Sequence, residues 1–498
     1  MMRLYNTLTG TTEAFTPLVA GRLGIYVCGV TPYSESHIGH AMSAIVYDVL
    51  VRYLRWRGNS FGGLDVTYVS NYTDVDDKLI VRGHELGIDP LDLADQNIAQ
   101  WEAEQAALGL TPPDVRPRVT REIASIIALT ERLVANGHAY ATPAGDVYFR
   151  VRADEDYGKL SHRNIEDLRS GTRFEPGEEK EFPLDFALWK SAKPGEPHWT
   201  SPWGEGRPGW HIECSAMAQR YLGDTFDIHG GGLDLVFPHH ENEVAQSESA
   251  TGKPFARVWM HNGLVLRDGE KMSKSLGNVI SVREALERWT PDALRLFVLS
   301  SHYRSPNNVT DEALVAAQRG IDRLTAALRP SDGTAAADDG ELRDHHGYPI
   351  AGPLVPPGDE AHQRFVEAIE DDCNTAQALA ALFELVREIN RRRDAGQAVA
   401  REQAKLRELT GLLGLRLEEQ AAGDLDVVAL STLAKQFEVA CGGMDAASTI
   451  DALLAAREEA RKTRNFAVAD GIRNGLAAAG IEVEDTPAGP RWADSRRR

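Results

Sequence analysis

Residues 24–40 read Gly24-Ile-Tyr-Val-Cys28-Gly-Val-Thr-Pro-Tyr-Ser-Glu-Ser-His37-Ile-Gly-His40, and the change of pattern inside them decides the fold. The apolar run at 24–28 reads as a short buried strand. A tight segment follows at 29–36. A helical pattern opens near His37, where Ile38, Met42, Ile45, Val49 and Tyr53 recur at three- and four-residue spacing; Gly58 suits the helix end. Residues 64–70 are strand-like again. A strand–loop–helix–strand start implies a parallel α/β sheet that takes a nucleotide at the C-terminal ends of its strands.

Working outward, the spacing predicts mostly helix over residues 92–138. Residues 140–205 differ: 147–151 are β-like and the rest is rich in Pro, Gly, Trp and charge, so the stretch reads as an insertion. The catalytic α/β domain is accordingly expected over 1–139 and 206–290, with a helical stem over 291–328. Residues 329–360 are rich in Pro, Gly and Asp with little periodicity, and read as a linker or flexible loop in which a cut near Asp359 is tolerable. A helical, amphipathic domain is expected over 361–440. A small α+β domain is expected over 441–498, with a strand-like Ile481-Glu-Val483.

The 498 residues, 42% of them hydrophobic, suffice for two to four ordinary domains. Residues 1–21 lack the apolar stretch of a signal peptide, and no apolar run spans a bilayer, so a cytoplasmic protein is expected. Four scattered cysteines, Cys28, Cys214, Cys373 and Cys441, do not make a disulfide scaffold. A net charge of −20 argues weakly against nucleic acid, but binding is local. Two basic runs stand out, Arg391 to Arg393 and Arg457, Arg461, Lys462 and Arg464; solvated helix faces are the alternative reading of both.

Three constellations carry chemistry. His37-Ile-Gly-His40 lies where a loop feeds a helix, and a helix N-terminus offers unpaired N–H groups and a positive dipole end to anions. The two histidines can donate to phosphate oxygens, and Gly39 lets a flat base or ribose come close. Lys271-Met-Ser-Lys-Ser275 is a polar loop with two lysines three apart, able to close over a polyphosphate. Cys28, Cys214, His239 and Glu243 make a plausible four-ligand zinc set, with His239 and Glu243 on one helix face. Two buried free cysteines and a surface His–Glu pair are the alternative. The aspartates of Asn71-Tyr-Thr-Asp-Val-Asp-Asp77 read as helix caps, with magnesium binding the alternative.

HIGH and KMSKS together are the signature of class I aminoacyl-tRNA synthetases, which this sequence resembles. Cys28-Gly-Val-Thr-Pro-Tyr33, Pro208-Gly-Trp-His-Ile-Glu-Cys-Ser-Ala-Met217, Asp227-Ile-His-Gly-Gly-Gly232 and Phe237-Pro-His-His-Glu-Asn-Glu243 are similar to cysteinyl-tRNA synthetase motifs. The resemblance implies a Rossmann-like nucleotide-binding domain with an insertion, followed by a helical domain and a small C-terminal domain. It implies one zinc on Cys28, Cys214, His239 and Glu243, and a cysteine pocket of Thr31, Thr73, Trp210 and His229. His37, His40, Lys271 and Lys274 carry over as catalytic phosphate contacts, and Gly39 and Asp234 complete the ATP site.

The implied reaction joins cysteine to ATP, with Mg2+, as cysteinyl-adenylate, then passes it to the terminal adenosine of tRNA(Cys). A monomer is expected. Two alternatives are a zinc-dependent cysteine:amino-sugar ligase of mycothiol biosynthesis, whose family typically lacks the long C-terminal portion, and a non-catalytic nucleotide- or tRNA-binding relative.

Overall fold

Successive side chains of a strand point to opposite faces, so an uninterrupted apolar run such as Ile25, Tyr26 and Val27 has to be covered on both. In the computed structural model that run is strand β1 (Arg22–Val30), and all three residues are buried. The structure describes residues 2–60, 64–164, 179–272, 277–329, 357–417, 427–441, 445–486 and 489–494. Strands β2 (Asp65–Tyr72), β3 (Phe226–Gly232) and β4 (Ala256–Asn262) join β1 in the order β4-β3-β1-β2, every pair parallel. The parallel α/β sheet expected from the opening pattern is therefore present. Helix α1 (Ile38–Ser60) links β1 to β2. The chain then returns to the other side of β1 to add β3 and β4. The switch point lies between β1 and β3, where an open α/β sheet leaves a crevice beyond its strand ends.

Two glycines allow the close approaches that shape this crevice. A Cβ on Gly29 would lie 1.6 Å from the Asn71 carbonyl oxygen, and the β1–β2 register shifts there, between Val27 and Val30. A Cβ on Gly230 would meet the Tyr47 ring at 2.4 Å. Tyr47, on α1, donates its hydroxyl proton to the Met260 carbonyl at 2.8 Å and accepts the Gly231 N–H at 2.7 Å, which fixes the helix across β3 and β4.

Between α1 and the second half of the sheet, residues 139–208 build a five-stranded antiparallel sheet in the order Ala139–Ala141, Val147–Phe149, Phe186–Ser191, Gly204–Pro208, Trp199–Ser201. Helix α2 (Trp210–Leu222) leads from it into β3, and helix α3 (Glu241–Thr251) leads from β3 towards β4.

Helix α4 (Pro291–Leu299) carries the fully buried Arg295. Its guanidinium pairs with Asp48 of α1 and donates to the carbonyls of Leu413, at 2.9 and 3.1 Å, and Leu108, at 3.3 Å. Removing one partner of a buried pair costs about 3–5 kcal/mol, so this clamp holds α1, α4 and the end of the helix Ala400–Leu412 as one body.

Two compact units share the chain: Met1–Ala285 with Pro291–Arg416, and Leu286–Thr290 with Leu417–Arg498. The helices Pro357–Glu370, Thr375–Asp394 and Ala400–Leu412 belong to the first. The sequence pattern puts a boundary at 440/441; the structure puts it at 416/417. The reason is packing, since Leu430 and Ala434 of helix Val427–Gln436 are buried in one core with Ile450, Leu453, Ile472 and Leu476. Residues 330–356, most of the expected linker, lie outside the described residues, as does Lys274.

Candidate active site

Beyond the ends of β1, β2 and β3 lies a cavity of about 420 Å³, of the size that takes small ligands. One wall is the start of α1. His37 and His40 stack there, ring centroids 3.8 Å apart and planes 17° apart. The Nδ1 of His37 accepts the Gly39 N–H at 3.1 Å, and the Nδ1 of His40 accepts the His37 N–H at 3.2 Å. An Nδ1 that accepts places the neutral ring's proton on Nε2 in both histidines. Lys271 and Met272 line the same cavity. The segment after the lysine loop is tied to the histidines by backbone pairing: Ile38 N–H to Ile280 O at 3.1 Å and Val282 N–H to Ser36 O at 3.0 Å. The two motifs, far apart in sequence, are thus brought together. Asp234, exposed just past β3, lines the opposite side.

At the cavity floor two thiols, an imidazole and a carboxylate come together. Cys28 lies near the C-terminal end of β1, Cys214 lies on α2, Glu243 is in the first turn of α3, and His239 comes from the irregular turn Val236–His240 that precedes α3 and holds the cis Phe237–Pro238 peptide. One ligand atom from each of the four lies within 4.8 Å of all the others. Cys28 Sγ is 3.5 Å from His239 Nε2 and 3.4 Å from Glu243 Oε1, and the last two are 3.0 Å apart. The described residues satisfy the donor set of a zinc site in number, type and proximity.

The electrostatics fit a cation. Burial alone would raise the Glu243 carboxyl, but His229 and His239 outweigh it and hold it at about 2. Burial would lower His239, yet Glu243 and Cys214 raise it to about 10. A hydrogen bond from Cys28 and the nearby His239 bring the Cys214 thiol down to about 6, against burial, whereas burial, Cys214 and Glu243 push Cys28 up. The cluster thus ionises one thiol easily and resists the second for want of positive charge.

Of the four residues expected in the cysteine pocket, Thr31, Thr73 and Trp210 line the cavity. Trp210 sits at its mouth, stacked on His239 with centroids 4.5 Å apart. His229 is placed otherwise. It is fully buried in mid-strand, stacked on Trp259 at 4.4 Å, and its Nε2 lies 2.9 Å from Glu243 Oε2, behind the cluster rather than on the cavity wall. The three aspartates separate. Asp76 caps its helix through the Lys78 N–H at 2.8 Å, Asp74 accepts from Thr120, and Asp77 pairs with Lys190 and Arg207. No metal-ready group among the described residues includes them.

Sequence reasoning gave no role to Asn71 beyond its place in a motif. Its Oδ1 accepts the Gly29 N–H at 2.9 Å and lies 3.7 Å from Cys214 Sγ, while its Nδ2 donates to Thr73 at 3.4 Å, so it sets both the pocket wall and a ligand. His211, His240 and His261 were also missed; they pack around the cluster, and burial keeps each neutral. An adjacent His-His pair was the one visible signal.

A parallel sheet whose switch point carries the stacked His37–His40 pair, with Lys271 on the same cavity, is the arrangement of a class I aminoacyl-tRNA synthetase. Two solved structures share the fold: Mycobacterium tuberculosis methionyl-tRNA synthetase in complex with methionyl-adenylate (TM-score 0.54, 17% identity, covering 79% of this chain and 89% of that one), and Agrobacterium radiobacter LeuRS in a ternary complex with tRNA and LeuAMS (TM-score 0.56, 12% identity, covering 80% and 84%). Family models match over residues 14–319 (tRNA synthetases class I (C) catalytic domain), 364–418 (DALR domain) and 444–492 (cysteinyl-tRNA ligase anticodon binding domain). The cysteine–tRNA ligase of Halorhodospira halophila is 50% identical over the full length of both chains. Those of Nitratidesulfovibrio vulgaris and Pseudomonas aeruginosa are each 48% identical over 99% of both. The chain belongs to the cysteine–tRNA ligase family.

Proposed function

We infer that this chain activates cysteine with ATP and transfers it to tRNA(Cys). The observation that carries the reading is the convergence of Cys28, Cys214 and His239, on the floor of a cavity whose wall is the His37–His40 stack, with Glu243 just behind them. The cysteine carboxylate attacks the α-phosphate of ATP, releasing pyrophosphate. A terminal ribose hydroxyl of the tRNA then attacks the acyl carbon. Such phosphoryl chemistry is served by positioning and charge stabilisation. His37 and His40 donate from Nε2 to phosphate oxygens. Lys271 and Lys274 follow the charge that moves to the leaving group, Asp234 holds the ribose, and Gly39 lets the nucleotide lie against the helix start. Thr31, Thr73 and Trp210 shape the amino-acid pocket. ATP is used with Mg2+, whose natural ligands are the phosphate oxygens.

Zinc, when bound, supplies a soft Lewis acid that prefers the substrate's thiolate to serine's hydroxyl. Shape alone separates such near-isosteres poorly. The purified chain is therefore expected to hold about one zinc, as a four-ligand site does. Cys214→Ser should raise the KM for cysteine about 10–100-fold in pyrophosphate exchange, the loss that even outer-shell changes bring to metal sites, while ATP binding survives. Zinc-free active protein, or serine discrimination that outlasts zinc depletion, contradicts the metal's role.

The tRNA surface is assigned to the C-terminal unit, where Phe466, 59% exposed, stands beside exposed Arg461, Lys462 and Arg464. An open aromatic ring among cations suits an unpaired base. Arg457 is reassigned: it is buried and donates to both oxygens of Asp485, at 2.6 and 3.0 Å. Trp492 is likewise engaged, its Nε1–H donating to Asp451 at 3.0 Å. The run at 391–393 is partly structural too, with Arg392 on Glu402 at 2.7 Å and Arg393 on the Ala327 carbonyl at 2.7 Å. Arg457→Met should therefore lower the stability of the C-terminal unit by about 1 kcal/mol, a charged hydrogen bond discounted for the half-exposed Asp485, and leave the salt slope of tRNA binding unchanged. Lys462→Ala or Arg464→Ala should flatten that slope by about 1. Chemical denaturation and filter binding at several salt concentrations separate the two effects.

The amino-sugar ligase alternative is disfavoured by the anticodon-binding match over 444–492. All four cysteines are free, which suits a reducing cytoplasm, and no helix among the described residues is long and apolar enough to cross a membrane. The oligomeric state proposed with this reading is a monomer.

A further inference from the structure

His229 and His240 are fully buried, neither lines the cavity, and the activation chemistry uses neither. Both nevertheless turn a ring nitrogen to the zinc cluster. His240 Nε2 lies 3.3 Å from Cys28 Sγ, and His229 Nε2 lies 2.9 Å from Glu243 Oε2. One ligand atom each from Cys28, His229, His240 and Glu243 lies within 4.8 Å of the rest, the same closeness as in the set with Cys214 and His239. The two sets share the edge Cys28–Glu243. We propose that this edge serves two metal seats: an outer seat completed by Cys214 and His239 on the cavity floor, and an inner seat completed by His229 and His240 behind it. The inference rests on the zinc reading above.

The donor chemistry suits the inner seat. One thiolate and one carboxylate balance a divalent cation, and two neutral imidazoles complete four ligands of types that zinc accepts. His240 has the backing expected of a ligating histidine. Its Nδ1 lies 2.8 Å from His261 Nε2, and His261 Nδ1 lies 2.7 Å from the Thr7 hydroxyl. With both rings protonated on Nδ1, this chain of donors ends on the hydroxyl oxygen and leaves His240 Nε2 free for a metal. His229 is worse served. Its Nδ1 is buried with no partner in the structure, so binding through Nε2 strands an N–H there. The inner seat is therefore the weaker one.

The seats also differ in what the cavity meets. Cys28, Cys214 and His239 line it; His229, His240 and Glu243 do not. Metal in the inner seat is retained but withdrawn from the amino-acid pocket, so metal content and cysteine capture separate.

Zinc retention after dialysis, chelator competition and X-ray absorption on the full chain test this. Wild type should hold about one zinc. Cys214→Ala should still hold about one, bound about 10–100-fold more weakly but stoichiometric, because structural zinc affinities leave that margin. Its absorption spectrum should show one sulfur and two imidazoles. His239→Ala, which also removes only the outer seat, gives the same test should Cys214→Ala fold poorly. Cys28→Ala, which breaks the shared edge, should bind at least about 10-fold more weakly than Cys214→Ala, and so should Cys214→Ala combined with His240→Ala. Cys214→Ala and His239→Ala chains as zinc-free as Cys28→Ala, or a single imidazole in the Cys214→Ala spectrum, overturn the two-seat proposal and leave the zinc reading standing. A zinc-free wild type overturns both.

Discussion

Lys274→Ala is expected to slow cysteinyl-adenylate formation about 10²–10³-fold with little change in the KM for cysteine, as for the loss of an oxyanion-hole donor. Lys274 lies outside the described residues, but both flanks of its loop are fixed. On one side Glu270–Lys271 pairs with Val265–Arg267; on the other, 280–282 pairs with 36–38 at the phosphate histidines. On the proposed reading the second lysine acts on charge that develops only in the transition state, so kcat falls rather than affinity. Pre-steady-state adenylate formation at saturating ATP gives both parameters. A near-normal rate would make the segment a solvated charge run.

The second large effect concerns tRNA. A chain ending at Arg416 should keep adenylate formation within about 3-fold, roughly 0.6 kcal/mol of barrier. It should lose at least about 10²-fold in aminoacylation, since each stacked base contributes about 1–3 kcal/mol. The salt dependence of tRNA binding should weaken with it. Composition alone suggests cutting near Asp359, but that cut removes structure the catalytic unit needs. Arg57 pairs with Glu370 at 2.8 Å, Asp372 accepts from Tyr303 at 2.9 Å, and Arg295 holds the Leu413 carbonyl. At Arg416 both phosphate motifs and every proposed ligand are retained, and the cut follows the boundary between the two units. A truncated chain that charges tRNA as well as the full chain would remove the C-terminal unit from tRNA reading.

The parts of the fold that were legible in the sequence carry strong periodic signals. The apolar run at 25–27 reads as a strand covered on both faces, and the spacing from Ile38 to Tyr53 reads as one face of a helix. The clustering of Cys28, Cys214, His239 and Glu243 was legible only with the family resemblance, because their scattered spacing equally suits two buried free cysteines and a surface His–Glu pair. What failed was orientation. In Phe226-Asp-Ile-His229 the alternation puts His229 on the face of Asp227, but both faces of this strand are buried, so the alternation does not say which one meets the cavity. Arg457 was misread because charge was weighed before position. It follows Ile450, Leu453 and Leu454 at helical spacing, on the buried stripe of its helix, and that signal was available. The boundary at 416/417 was hidden because the apolar face of helix Val427–Gln436 does not say in sequence which core it joins.

Cysteine-dependent exchange of pyrophosphate into ATP, followed in the same preparation by transfer to tRNA(Cys), tests the functional assignment most directly. The expected result is exchange with cysteine but not serine, proportional to bound zinc, and cysteinyl-tRNA formed when tRNA is added. Exchange without any charging of tRNA, with cysteine passed instead to an amino sugar, would contradict it.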